Sequence, residues 1–107
     1  MAEVVVKTFT ADIYIAGDYN KAKEVCGEYC LEGFCVNMQK VDYIYTFGQE
    51  SGIRIGLINY PRFPSRPSAI LSKAKQLARK LMKELNQGSF SIVTPSKTYY
   101  YSRRREG

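Results

Sequence analysis

Eight apolar side chains place the strongest constraint on how this chain can fold. Ile70, Leu71, Ala74, Leu77, Ala78, Leu81, Met82 and Leu85 recur at helical spacing over four turns. Such a stripe has to be covered, and no apolar run nears the ~20 residues of a membrane span. The cover must come from the rest of the chain. A second, shorter stripe (Ala22, Val25, Cys26, Tyr29 and Cys30) predicts another helix. Asp18 suits its N-cap, its end falls near Glu32, and Gly33 stands where a C-cap glycine belongs.

The remaining segments read as extended. Glu3 to Ala16 is rich in β-branched and aromatic residues and predicts a long strand, or a strand with a bulge near Ala11 and Asp12. Between the helices, Phe34 to Gln39, Val41 to Phe47 and Ile53 to Tyr60 predict three strands, with Tyr43, Tyr45 and Phe47 on one face. Pro61, Pro64 and Pro67 make the next stretch a stiff connector. Ser65 or Ser68 can cap the long helix, which should run to about Asn86. Ser89 to Thr94 and Thr98 to Arg103 predict a hairpin around Pro95 and Ser96. The expected order is β-α-β-β-β-α-β-β. Two helices with one apolar stripe each are best buried on one face of an antiparallel sheet. The fold class is therefore α+β, a variant of the ferredoxin-like plait, with residues 1–102 as one domain and 103–107 as a basic tail.

Composition agrees with a packed globule, since 45% of residues are hydrophobic. The 3 cysteines form no even disulfide framework and point to a reducing compartment. The opening Met-Ala-Glu-Val-Val-Val-Lys lacks the basic lead and apolar core of an export signal. The expected location is the cytoplasm, with no membrane partner.

Charge divides the chain. Met1 to Gly52 holds eight acidic and four basic residues, a net of −4, and Ile53 to Gly107 holds two acidic and twelve basic, a net of +10. A half so basic generally faces something anionic. Lys75, Arg79 and Lys83 stand four residues apart, as a basic row on a helix roughly 28 Å long at 1.5 Å per residue. Arg62 and Arg66 lie in the proline-stiffened connector, where little loop entropy would be lost on binding. Tyr99 and Tyr101 precede Arg103 and Arg104, a pairing of stacking faces with phosphate-binding forks. Set against this is a solvated helix, a connector that merely packs Phe63, and an edge strand with a loose tail. In the acidic half, Glu24, Glu28 and Glu32 follow an i, i+4, i+8 row that could meet a basic groove on a partner protein, or simply be solvated.

Catalysis and metal binding find little footing in the residues. The chain has no histidine, the commonest general base near neutral pH. Cys26, Cys30 and Cys35 fall short of the four ligands of a structural zinc site, and two of them lie on the apolar stripe. The expectation is no enzyme, no metal and no cofactor.

The stretches Gly56-Leu-Ile-Asn-Tyr-Pro-Arg-Phe-Pro-Ser65 and Thr98-Tyr-Tyr-Tyr-Ser-Arg-Arg104 resemble those of small uncharacterised proteins encoded by tailed phages and prophages. The resemblance implies a setting in the host cytoplasm, acting on host machinery such as defence systems by binding. Charge and setting together lead to an expected function. The chain would be a non-catalytic accessory protein that binds a phosphate-bearing partner, either nucleic acid or a nucleotide signal. The alternative is an inhibitor that docks onto a host protein complex, in the manner of anti-CRISPR proteins, through its acidic half. A homodimer stays open.

Overall fold

The computed structural model describes residues 1–103. It contains strands β1 (Thr10–Ala16), β2 (Asn37–Tyr45), β3 (Gly48–Ile58), β4 (Ser89–Val93) and β5 (Thr98–Ser102), with helices α1 (Tyr19–Tyr29) and α2 (Pro67–Glu84). All strand pairs are antiparallel, and the spatial order is β2-β3-β1-β4-β5. The first four strands and the two helices make the ferredoxin-like plait, and β5 extends it by a hairpin. The α+β class expected from the two stripes is the observed one.

Strand alternation explains why one face is dry. Ile13, Ile15, Ile53, Ile55, Leu57 and Ile92 are fully or almost fully buried, and the register places Ile13 opposite both Ile55 and Ile92. Against them lie Ala22, Val25 and Cys26 of α1 and Ile70, Ala74, Leu77, Ala78 and Leu81 of α2. The other face is polar. There Arg54 donates to Asp12 Oδ1 at 2.8 Å, Gln39 Oε1 at 3.0 Å and Asn37 Oδ1 at 2.8 Å. At Gly52 an added Cβ would strike the Tyr43 ring and come within 2.7 Å of the Ile15 carbonyl, so only glycine admits that close approach.

Several boundaries differ from the sequence reading. The strand expected from Glu3 begins only at Thr10, because the ladder with β3 stops at Ile58, opposite Thr10; beyond it the Asn59 amide still donates to the Phe9 carbonyl at 3.0 Å, but no register continues. The register runs unbroken from Thr10 to Ala16, without a bulge. The segments expected as separate strands at Phe34–Gln39 and Val41–Phe47 run on as the single strand β2, paired along the whole of Asn37–Tyr45. Nothing near Lys40 breaks the pleat. Asp18 caps α1 as expected, accepting from the Lys21 amide at 2.8 Å. The last turn tightens into a short 3-10 segment, Cys30–Glu32, ended by Gly33 in the left-handed region at φ 97°. Neither Ser65 nor Ser68 caps α2: Arg66 occupies the N-cap in an extended conformation and Pro67 starts the helix, where its missing N–H costs nothing.

Candidate functional site

A cleft of about 360 Å³ opens where the end of α1, the end of β3, the proline connector and the start of α2 meet. Two aromatic pairs wall it. Tyr29 and Phe34 meet edge to face, with ring centres 5.8 Å apart; Tyr60 and Phe63 lie tilted at 5.4 Å. Lys73 holds its ammonium 6.0 Å from the Tyr29 ring centre and 5.9 Å from that of Phe34. Glu32 brings a carboxylate to the same cleft, and Gln76 an amide.

Each wall has a local reason to stand where it does. Tyr29 is on the apolar stripe of α1, and its hydroxyl donates to Gln76 Oε1 at 3.0 Å and to the Lys73 carbonyl at 3.4 Å, tying α1 to α2. The left-handed turn at Gly33 swings Phe34 back toward Tyr29. Asn59 holds the connector. Its Oδ1 accepts from the Ser65 amide at 2.9 Å, and its Nδ2 donates to the Lys7 carbonyl at 2.8 Å. Between those anchors the chain turns with the Phe63 amide donating to the Tyr60 carbonyl at 3.1 Å. Burial pushes the Tyr60 hydroxyl above the usual phenol range, with a hydrogen bond to Cys35 acting the same way and one to Asn37 opposing it. At neutral pH Tyr60 is therefore a hydroxyl that can donate. Aromatic faces, one cation and one anion around a solvent-open cleft can meet a flat ring system and a zwitterionic end.

The residues singled out from sequence are distributed differently. Glu32 lines the cleft, whereas Glu24 and Glu28 are exposed on α1. The three do not continue one helical row, since Glu32 belongs to the 3-10 turn. Arg62 and Arg66 are exposed on the connector, outside the cleft lining. On α2, Lys75 places its ammonium 4.6 Å from the Tyr99 ring centre and Arg79 its guanidinium 5.4 Å from that of Tyr101. Tyr101 in turn stacks on Phe90 at 4.9 Å. Two members of the basic row thus meet tyrosines of the same chain at its surface. Lys83 is exposed. Arg103 donates to the Met82 carbonyl at 3.2 Å, and Arg104 lies outside the described residues. Cys26, Cys30 and Cys35 are free thiols. Tyr29, Phe34, Asn59, Tyr60 and Gln76 were not singled out by sequence. Their only signals are the aromatic on the α1 stripe and the Asn-Tyr-Pro run before the connector.

Two solved structures share this fold. A phage SAM lyase in its apo state aligns with a TM-score of 0.67 at 14% identity over 92% of each chain. A phage SAM lyase in complex with S-methyl-5'-thioadenosine aligns with a TM-score of 0.65 at 14% identity over 95% of each chain. No protein-family model matches the chain, and no curated protein does. The likeness to uncharacterised phage proteins is therefore met by phage proteins at the level of fold, without a family behind it. The expectation of a non-catalytic binder of phosphate, with protein docking as its alternative, is overturned: the shared fold carries a lyase, an enzyme, and the ligand held by the second neighbour is a nucleoside thioether without phosphate. A missing histidine excludes one kind of proton transfer, while positioning and electrostatics can supply most of a rate enhancement without it. No helix among the described residues is long and apolar enough to cross a membrane.

Proposed function

We propose that the cleft binds S-adenosylmethionine and that the chain cleaves it as a lyase. The observation that carries this reading is the meeting of two aromatic pairs with Glu32 and Lys73 around one cleft of about 360 Å³. Each part of the substrate has a counterpart. The adenine ring stacks on an aromatic face, and the sulfonium is attracted by the ring quadrupoles. The carboxylate of the amino-acid end draws the Lys73 ammonium off the Tyr29 and Phe34 rings, and Glu32 takes the substrate ammonium. The fold shared with the phage lyases supports the same assignment.

The chemistry needs little from the protein beyond binding and exclusion of water. The bond from sulfur to the γ-carbon of the aminobutyryl chain breaks, and its electron pair neutralises the sulfonium, releasing S-methyl-5'-thioadenosine. A carboxylate oxygen of the same substrate closes on that carbon, giving a five-membered lactone that retains its ammonium. Atoms and charge balance without water, metal or a proton acceptor, so a chain lacking histidine can do it. Opposite charges are consumed on the way to the transition state, so the reaction gains wherever the aromatic walls keep water from the sulfonium. The Tyr60 hydroxyl, on a residue that lines the cleft, orients the carboxylate by donating to it. In a phage setting, loss of the methyl donor in the host cytoplasm would act against host defences that depend on it.

The test is chromatography of S-adenosylmethionine incubated with the purified chain. Time-dependent formation of S-methyl-5'-thioadenosine is expected, slowed at least tenfold by Glu32→Gln, a loss of about 1.4 kcal/mol of transition-state stabilisation. Intact substrate after prolonged incubation with folded protein would overturn the reading.

A further inference from the structure

We infer that Cys30 and Cys35 form a modification site, at which an anionic small-molecule disulfide closes the two thiols into a bond across the Gly33 turn. The inference is independent of the proposed activity. Its first support is the backbone of the turn between the two residues. The Cys30 carbonyl accepts from the amides of Gly33 at 3.0 Å and Phe34 at 3.3 Å. Gly33, in the left-handed region at φ 97°, reverses the chain. The Val36 amide then donates to the Cys30 thiol. Cys35 thus lies between two residues whose amides both reach Cys30, one at its carbonyl and the other at its sulfur. A bridge needs Cα atoms within about 7 Å of each other, and a chain folded back this tightly meets that need.

The second support is access for a reagent of defined charge. Cys30 and Cys35 are both half-buried, so neither is sealed from solvent. A groove of about 300 Å³ opens beside Cys30, lined also by Tyr19, Lys23, Gly27 and Met38. A Cβ on Gly27 would meet no neighbour within 4 Å, which leaves the groove open there. Lys40 holds its ammonium 5.2 Å from the ring centre of Tyr19. Two lysines at the groove favour a disulfide that carries carboxylates, and they favour the thiolate that exchange requires. Cys26 shares the groove but not the reaction. It is 2% exposed within the core, and burial pushes its thiol up to about 12, which leaves almost no thiolate at neutral pH.

The exchange balances with the external disulfide as oxidant. One cysteine thiolate attacks a sulfur of that disulfide, forming a mixed disulfide and releasing the first small thiolate. The second cysteine thiolate attacks the protein sulfur of the mixed disulfide and releases the other. Two protein thiols are oxidised, one disulfide is reduced to two thiols, and the protons pass from the cysteines to the leaving sulfurs. The cleft registers the change through Tyr60. Its hydroxyl is hydrogen-bonded to Cys35, and Cys30 acts on the same hydroxyl electrostatically. A bridged Cys35 has no S–H and accepts only weakly, so Tyr60 loses that partner.

The experiment treats the reduced full chain with oxidised glutathione, blocks the remaining thiols and reads intact and peptide masses. Loss of two hydrogens is expected, restored by a reducing agent. Cleavage after glutamate cuts at Glu28, between Cys26 and Cys30, and at Glu32, between Cys30 and Cys35. The bridge should therefore hold the Tyr29–Glu32 peptide to the one that begins at Gly33. Cys26→Ala should bridge as the unmodified chain does, whereas Cys30→Ser should stop at one glutathionyl group on Cys35. Ring resonances of Tyr60 should shift on bridging, and those of Tyr99 should not. Glutathionyl groups left on both cysteines, a bridge to Cys26, thiols that stay free under excess oxidised glutathione, or an unmoved Tyr60 ring would each overturn the inference.

Discussion

At the scale of the residue, burial decides both what reacts and what titrates. Cys26 is held against α2 and the sheet, and burial, aided by the neighbouring Cys30, pushes its thiol up to about 12. Burial also raises the Cys30 thiol and the hydroxyls of Tyr29, Tyr43 and Tyr60. In each case the folded state holds the proton more tightly than the unfolded state does. Stability is therefore fully present below the ordinary thiol range and falls with rising pH until the Cys26 thiol ionises near 12. Urea unfolding across that window should show this fall, with a slope of about 1.4 kcal/mol per pH unit for each proton involved. Cys26→Ala should make the slope shallower while lowering stability at every pH. A pH-independent baseline up to pH 11 would contradict this reading of the thiol.

At the scale of the element, the helices were legible because one side chain every three or four residues reports a buried face. Ile70 to Leu81 and Ala22 to Cys26 are buried as their spacing required. The strands were legible in kind but not in extent. Pairing is set by what lies alongside, so Val4 and Val5 fall outside any strand and Lys40 inside one, although the sequence suggested otherwise. The cleft was hardly legible, because it joins Tyr29 to residues 44 and 47 positions away. The contacts of the basic row of α2 were illegible for the same reason. Charge is visible in sequence, but the rings that receive it belong to β5, a strand added after α2. Lys75 and Arg79 are therefore expected to fasten α2 to β5. Their replacement by alanine should each lower stability by about 0.5–1 kcal/mol, read by denaturant unfolding, and leave conversion of S-adenosylmethionine unchanged. Lost activity with unchanged stability would move the site to that face.

At the scale of the whole molecule, the plait is a dry layer between two helices and one sheet face, with features gathered at its ends. One end carries the cleft together with the segment that leads into β1, since Asn59 bonds to both Ser65 and Lys7. The other carries the hairpin tip. The helix-facing side is covered, and the open sheet face is fastened by Arg54 and its three acceptors. The ends are thus where a fold this small leaves room for chemistry and contact. The central claim is that the cleft at the first end is where the substrate binds. Titrating ¹⁵N-labelled protein with S-adenosylmethionine and following its amide resonances tests it most directly. Shifts are expected at Glu32 to Phe34, at Asn59 to Ser65 and around Lys73. Shifts confined to the α2–β5 face, or none at millimolar ligand, would contradict it.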